Sequence, residues 1–492
     1  MNIFVHLFLF IFVAVPAHCK PENPGESLRL AYQQILNLQL INGKNTLFQL
    51  SAEDKEQAFF HYLDNLSEII ELLLNENQAN YKKYRDNEKA RIQKLEELSS
   101  DDPYKLYVIS EIKLQWAFVK LKFDDALSAG WSIKQAYRLA RENMEKFPGF
   151  TPNYKTQGTL NLLIGAVPHK YQWLLDLFGL KGSIDEGIQL LSQVEEKNNL
   201  FSLEASILKC LAGVYILQDK SLVQSFSEVY ATFPDNLLVK FAYAAVSFKS
   251  NQSEKALKII RESEKMAQDY ARIHYLDYLK AKILLQKKSY TLAAYYFDRF
   301  ISGYKGDNNI KDAWFQLFLC YWLNNRQEKA RKMYEIAKVE GAPVSTADKY
   351  AGRLLKNNEF PHVQIMQIRL ATDGGYYDLA EALINSLSAS RLDTHKNKTE
   401  LVYRKARLLH LQGKLPEASQ QYRKTIGMTQ KEPWYFAPSA ALQLGHIYIK
   451  QKNYALADKY FQTVLNFRNH PYKQSLDQQA RSAIQRLNGL GD

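Results

Sequence analysis

The side chains with chemistry to offer here are ten histidines, scattered carboxylates, three cysteines and one glycine-rich turn, and their spacing assembles no reactive set. No HExxH pair puts two histidines on one helix face for zinc, and no CxxC, GxSxG elbow or GxxxxGK[ST] phosphate loop occurs. The turn GLKGSIDEG at 179–187 lacks the lysine-Ser/Thr ending of a phosphate loop, so it reads as a connection between helices. Asp185 and Glu186 are adjacent, which on a helix splays them by about 100° and suits them poorly to shared acid–base work. No catalytic residue, metal site or cofactor is assigned. Cys210 and Cys320 lie in apolar runs (SILKCLAGVY and LFLCYWL), which predicts buried thiols rather than a disulfide. Asn-x-Ser/Thr triplets stand at Asn65, Asn251 and Asn397.

The elements that would position any site are helices, and they repeat. Ala256, Ala293, Ala330, Ala380, Ala418 and Ala457 each follow a polar turn at the start of an apolar helix, with gaps of 37, 37, 50, 38 and 39 residues. The unit around 313–343 places Trp314, Leu317, Tyr321, Ala330, Tyr334 and Ala337 in phase, closed by Pro343. The unit around 441–465 places Leu444, Gly445, Tyr448, Tyr454, Ala457 and Phe461 in the same way. Gly445, Ala406 and Ala281 each stand twelve positions before the alanine of the following helix, an offset that lets two helix axes approach closely. The 50-residue gap holds an extra segment (341–362) long enough for one short helix, and 474–487 reads as a closing helix. Over residues 236–471 this pattern resembles the tetratricopeptide repeat superfamily. The fold class expected is all-α, an α-α superhelix (a tetratricopeptide-type solenoid) with a helical N-terminal region.

Upstream, apolar residues at helical spacing run from 53 to 98. Asp102-Pro103 marks a helix start, 104–123 and 126–147 form a hairpin, and Ser183 with Glu186 forms a capping box. Gly158, Asn161, Leu162, Pro168, Leu174, Gly179, Gly182, Gly187 and Leu190 resemble the hallmark block of the tetratricopeptide repeat protein 39 family and of uncharacterised exported relatives in Bacteroidetes-type bacteria. That resemblance covers about residues 105–195. It implies a helical scaffold and brings no catalytic residues with it. Pro168, His169, Tyr171 and Trp173 sit at a helix break, as a rim or as packing anchors.

Residues 3–17 are apolar apart from His6 and are followed by Lys20 and a Pro/Gly-rich stretch, the pattern of a secretory signal and too short to span a bilayer. The domains expected are a signal peptide (1–19), N-terminal helices (20–100), a helical region with the family-like block (101–235), the repeats (236–471) and a capping helix (472–492). Net charge is +12, spread along the chain, and 13% of residues are aromatic. Such a field favours an anionic partner, while export leaves little role for nucleic acid.

In a solenoid of this kind the first helices line the concave face. In phase with the alanines, the outward positions are Tyr275, Tyr278 and Lys282, then Phe315 and Trp322, then Tyr403, Arg407 and His410, and finally His446 and Lys450. That aromatic and basic mix suits an extended peptide carrying acidic groups. The function expected is a non-catalytic exported scaffold that binds a protein or peptide at the cell envelope, in the periplasm or peripherally at the outer membrane. A glycan- or nutrient-binding module of the outer membrane is the alternative, and an enzyme with dispersed active-site residues is the less favoured one.

Overall fold

The computed structural model describes residues 24–167, 172–196, 200–217, 219, 222–266, 269–358, 360–387, 392–429 and 432–488. The apolar segment 3–17, Cys19, Pro168, His169 and Tyr171 lie outside the described residues. Those described are helical or in turns, with no strand among them, and no helix among them is long and apolar enough to cross a membrane. The chain divides into two compact units. One holds the residues up to 283 with 291–319 and 328–356; the other holds 284–290, 320–327 and 357 onward.

Six helix pairs carry the phased alanines. The first helices are Leu237–Lys249, His274–Gln286, Ile310–Leu323, Val363–Gly374, His395–Leu411 and Phe436–Lys450. The second helices are Ser253–Ser263, Tyr290–Gly303, Gln327–Val339, Tyr377–Ser386, Leu415–Thr429 and Tyr454–Asn466. Each alanine is the fourth residue of its second helix, and all six have 0% exposure. A larger side chain there would push the two helices apart, because packed interiors have no spare volume. Five positions before each alanine the backbone turns left-handed, at Asn251, Lys288, Asn325, Gly375, Gly413 and Lys452. That residue ends the first helix and reverses the chain, a role asparagine and glycine fill with little strain and lysine with more. At Gly445 a Cβ would lie 2.4 Å from the Phe461 ring, so the absent side chain is where the second helix's phenylalanine seats.

The extra segment forms the short helix Thr346–Lys356. The closing helix is Lys473–Asn488, packing Leu476, Ala480 and Ala483 onto the final pair. Upstream, the hairpin is Pro103–Lys122 against Ala126–Lys146, each helix capped by an aspartate: Asp102 accepts from the Tyr104 amide (2.8 Å) and Asp125 from that of Ser128 (3.2 Å). Glu26–Leu36, Leu40–Phe48 and Ala58–Asn75 complete this core.

These N-terminal helices are stitched, within the first unit, to the loops that precede the first helices of the repeats. Leu38 O accepts from the Ala271 amide (2.7 Å), Asn37 Oδ1 from that of Leu237 (3.1 Å), and Gln39 and Asn42 donate to Asp269 (2.8 and 3.0 Å). Further along, Glu76 accepts two bonds from Asn308 Nδ2 (3.0 and 2.9 Å) and pairs with Lys122.

Candidate functional site

The structure divides the residues singled out for a binding face. Tyr278, Phe315 and Tyr403 are buried and belong to the packing between helices, which corrects their reading as outward positions. The Tyr278 hydroxyl donates to Asp312 (2.5 Å), Phe315 packs on Phe318, and Tyr403 lies against Tyr422 and Phe436. The reason is visible in Leu237–Lys249, where every residue from 237 to 247 is buried: a first helix is covered by its own partner and by neighbours on other sides. Only a narrow strip of it meets solvent. Tyr275 is half-buried against Phe241, and Lys282 is spent on Asp312 (3.3 Å). Trp322 donates its indole N–H to Pro361 O (2.9 Å) and meets Phe360 edge-on, so it is taken up in packing within the second unit.

What remains is a strip in the second unit. Arg407 on helix His395–Leu411 is half-buried and donates to Gln443 on Phe436–Lys450 (3.4 Å), and Asp373 on Val363–Gly374 adds to its electrostatic surroundings. By the alanine phase the equivalents of Arg407 on the neighbouring first helices are Arg369 and His446, and Asp373 and Gln443 each lie about one turn from them. Burial works against the Arg407 charge, but Tyr422 and Tyr403 outweigh it and the guanidinium stays charged. His410 Nδ1 lies 3.1 Å from the Tyr422 hydroxyl. His446 packs edge-on against Phe461, and burial, with Lys450 and Arg486 nearby, lowers its pKa, so it is neutral at pH 7. Lys450 is exposed at the end of its helix. Arg369 lies one turn before Asp373 (3.7 Å) and continues the basic character. The strip therefore offers arginine and lysine charge, without the three buried aromatics.

A second constellation escaped sequence reasoning. Lys155, 1% exposed, sits between two buried carboxylates: Glu204 Oε2 at 2.7 Å and Glu111 Oε2 at 3.0 Å. It also donates to the Tyr62 hydroxyl (3.0 Å) and lies over the Phe201 ring at 4.6 Å. Tyr32 and Tyr62 donate to Glu204, and Thr156 donates to Glu111. With two carboxylates to one ammonium, burial and then the neighbouring Glu111 work to hold the Glu204 proton on; its pKa rises to about 7 despite Lys155. From Glu111 the network continues through Gln115, Asn65 and Trp116 to Arg91, which holds Asp64 (2.6 Å) and Glu68 (2.7 Å). Five helices meet at Lys155, supplying Tyr32, Tyr62, Glu111, Lys155 and Glu204 in turn. The group is closed to solvent and ties these five helices to one another. Asn65, one of the three glycosylation triplets, is fully buried in this network and has no room for a glycan.

The glycine block is a helix crossing. A Cβ on Gly187 would lie 2.8 Å from Gly158 O and 2.9 Å from the Leu162 amide, so Pro152–Gly165 and Ile184–Glu196 touch backbone to backbone. Asn161 Oδ1 accepts from the Ser183 amide (3.1 Å), and Ser183 caps the second helix by accepting from Glu186 N (3.4 Å). The turn 179–187 is thus part of a packing joint. Cys210 and Cys320 are buried thiols, with burial pushing Cys210 up to about 12. No cluster of three or more metal-binding side chains occurs among the described residues.

Residues 155–360 match the family model of Iml2/Tetratricopeptide repeat protein 39, about two fifths of the chain, starting within the glycine-crossing helix and running into the repeats. No curated protein sequence matches. Among solved structures, yeast Tom70 is 15% identical, with 92% of this chain and 96% of that chain covered and a TM-score of 0.30. The Cut9 complex with Hcn1 is 14% identical (94% and 87% covered, TM-score 0.31), and a Rap protein complexed with Competence and Sporulation Factor is 10% identical (82% and 97% covered, TM-score 0.32). The six helix pairs in one phase form a tetratricopeptide-type α-α repeat, and the stretch 155–360 is similar to the Iml2/Tetratricopeptide repeat protein 39 family.

Proposed function

We propose that the protein is a scaffold that holds an extended, acidic segment of a partner protein along the first-helix strip of its second unit, with Arg407 and Lys450 as the charged contacts. The observation that carries this reading is Arg407: half-buried, kept charged, and placed in phase with Arg369 and His446 on the neighbouring first helices. A guanidinium fixed by its neighbours is preorganised for a carboxylate. The leader-like segment 1–19 supports export, and with a bacterial source of the Bacteroidetes type the site of action is the cell envelope.

The test is retention of an envelope protein from extract by the immobilised wild-type chain and by an Arg407→Glu/Lys450→Glu variant. Loss of a defined partner in the variant, with unchanged circular dichroism, is the expected result; equal retention overturns the strip as the site. Mass spectrometry of the mature N-terminus tests export separately, and an intact residue 1 in the cytoplasmic fraction refutes it.

A further inference from the structure

Two helices of the first unit leave large apolar side chains in water at one place. Leu127 and Trp131 lie a turn apart at the start of Ala126–Lys146, 75% and 55% exposed. Trp173 and Leu177 lie a turn apart on Gln172–Phe178, 61% and 67% exposed. Phe178 joins the two pairs, meeting the Trp131 ring edge-on at 5.2 Å and lying 3.3 Å from where a Cβ on Gly130 would be. Helix Gln172–Phe178 is apolar on opposite sides, since Leu175 is buried while Trp173 and Leu177 point outward. A short helix of that kind calls for a second cover.

The charge that lies against the rings of Trp131 and Phe178 is basic. Lys134 lies 5.2 Å from the Trp131 ring and 5.7 Å from the Phe178 ring, with no carboxylate in ion-pair reach among the described residues. By contrast, Lys280 over Tyr296 and Lys338 over Tyr334 each also hold a glutamate. The helix face carrying Leu127, Trp131 and Lys134 continues with Arg138 and Arg141, whose acid partners Glu142 and Glu145 sit in exposed, weakly coupled pairs (3.0 and 3.9 Å).

We propose that this patch docks onto an anionic phospholipid surface. Side chains this exposed stand out as prongs. Leucines that enter the acyl region, tryptophans that rest at headgroup level and cations that meet phosphates are the composition of an interfacial membrane contact. The +12 charge of the chain adds attraction to an anionic bilayer and opposes pairing with a second copy. Asp176, exposed beside Trp173 and Leu177, remains in headgroup water. This surface is separate from the Arg407 strip, and its test does not depend on that reading.

The experiment is co-sedimentation of the full chain with vesicles of phosphatidylcholine alone or mixed with phosphatidylglycerol. Wild type is expected to bind the mixed vesicles, more weakly at high salt, with a blue shift of tryptophan emission. Leu127→Ser/Leu177→Ser should lower partitioning by about tenfold or more, and Lys134→Glu by about fivefold or more. Trp131→Phe/Trp173→Phe should abolish the blue shift. Every variant retains residues 1–23, so binding by the apolar leader would leave the leucine variant equal to wild type and overturn the proposal. Failure of wild type to bind phosphatidylglycerol vesicles at low salt would also overturn it, leaving the patch to a protein partner.

Discussion

Replacing Glu204 with glutamine should change how the stability of the first unit responds to pH. In the fold, burial and Glu111 raise the pKa of this carboxyl from 4.5 to about 7. A folded-state pKa above the unfolded one means that the fold prefers the protonated carboxyl. Its contribution is therefore fully present below about pH 4.5 and is lost as pH rises through about 7. The carboxyl is fully buried, and the shift corresponds to roughly 3 kcal/mol between pH 4.5 and pH 8. Glutamine keeps an acceptor for Tyr32 and Tyr62 and stays neutral. The variant should match wild type near pH 4.5 and gain on it by roughly 3 kcal/mol at pH 8. Burial also raises the Glu68 pKa, while Lys122 and Asn308 outweigh burial and lower that of Glu76, so absolute pH curves mix opposing groups. The difference between variant and wild type isolates position 204. Urea unfolding followed by circular dichroism at pH 4.5, 6, 7 and 8 measures it. A difference that stays constant across that range would refute the raised pKa of Glu204.

Other substitutions probe the packing directly. Lys155→Met leaves Glu111 and Glu204 facing each other without a cation and should destabilise the first unit by about 3–5 kcal/mol at pH 8; thermal unfolding reads this, and part of the loss should be recovered at pH 5 as Glu204 takes up its proton. Gly187→Ala puts a Cβ 2.8 Å from Gly158 O, against backbone that cannot yield cheaply, and should cost about 1–3 kcal/mol. Gly445→Ala meets only the Phe461 ring, so pairing it with Phe461→Leu should recover part of the loss in a double-mutant cycle, whereas strict additivity would contradict the contact. Phe315→Ala should cost about 3–5 kcal/mol because that ring is core, a loss too large for an outward binding residue.

The repeats were legible because they are local. Alanine, turn and small residue recur at fixed offsets within about forty residues, and close approach of two helices leaves little choice of side chain at the crossing. For the same reason the extra helix at 346–356, the hairpin 103–146 and the closing helix could be read from spacing and caps. The left-handed residue five places before each alanine was hidden, since Asn, Gly and Lys share that position. Helix periodicity also could not say which aromatic faces inward. Tyr278, Phe315 and Tyr403 are in phase with a groove, but first helices are covered on several sides, and burial depends on neighbours contributed by other parts of the chain.

The sequence by itself determined the all-α repeat, the extent of its helix pairs and the buried thiols, because each follows from short-range pattern and apolar context. Only the tertiary structure decided the rest. Lys155 meets Glu111 and Glu204 across 44 and 49 residues, and Tyr32 reaches Glu204 across 172. In sequence each is a lone charge or ring on an apolar helix. Likewise the exposed Trp131 and the helix bearing the exposed Trp173 meet only through Phe178. Electrostatics and burial depend on distance in space, and a solenoid's local periodicity carries no record of which distant helix lies alongside.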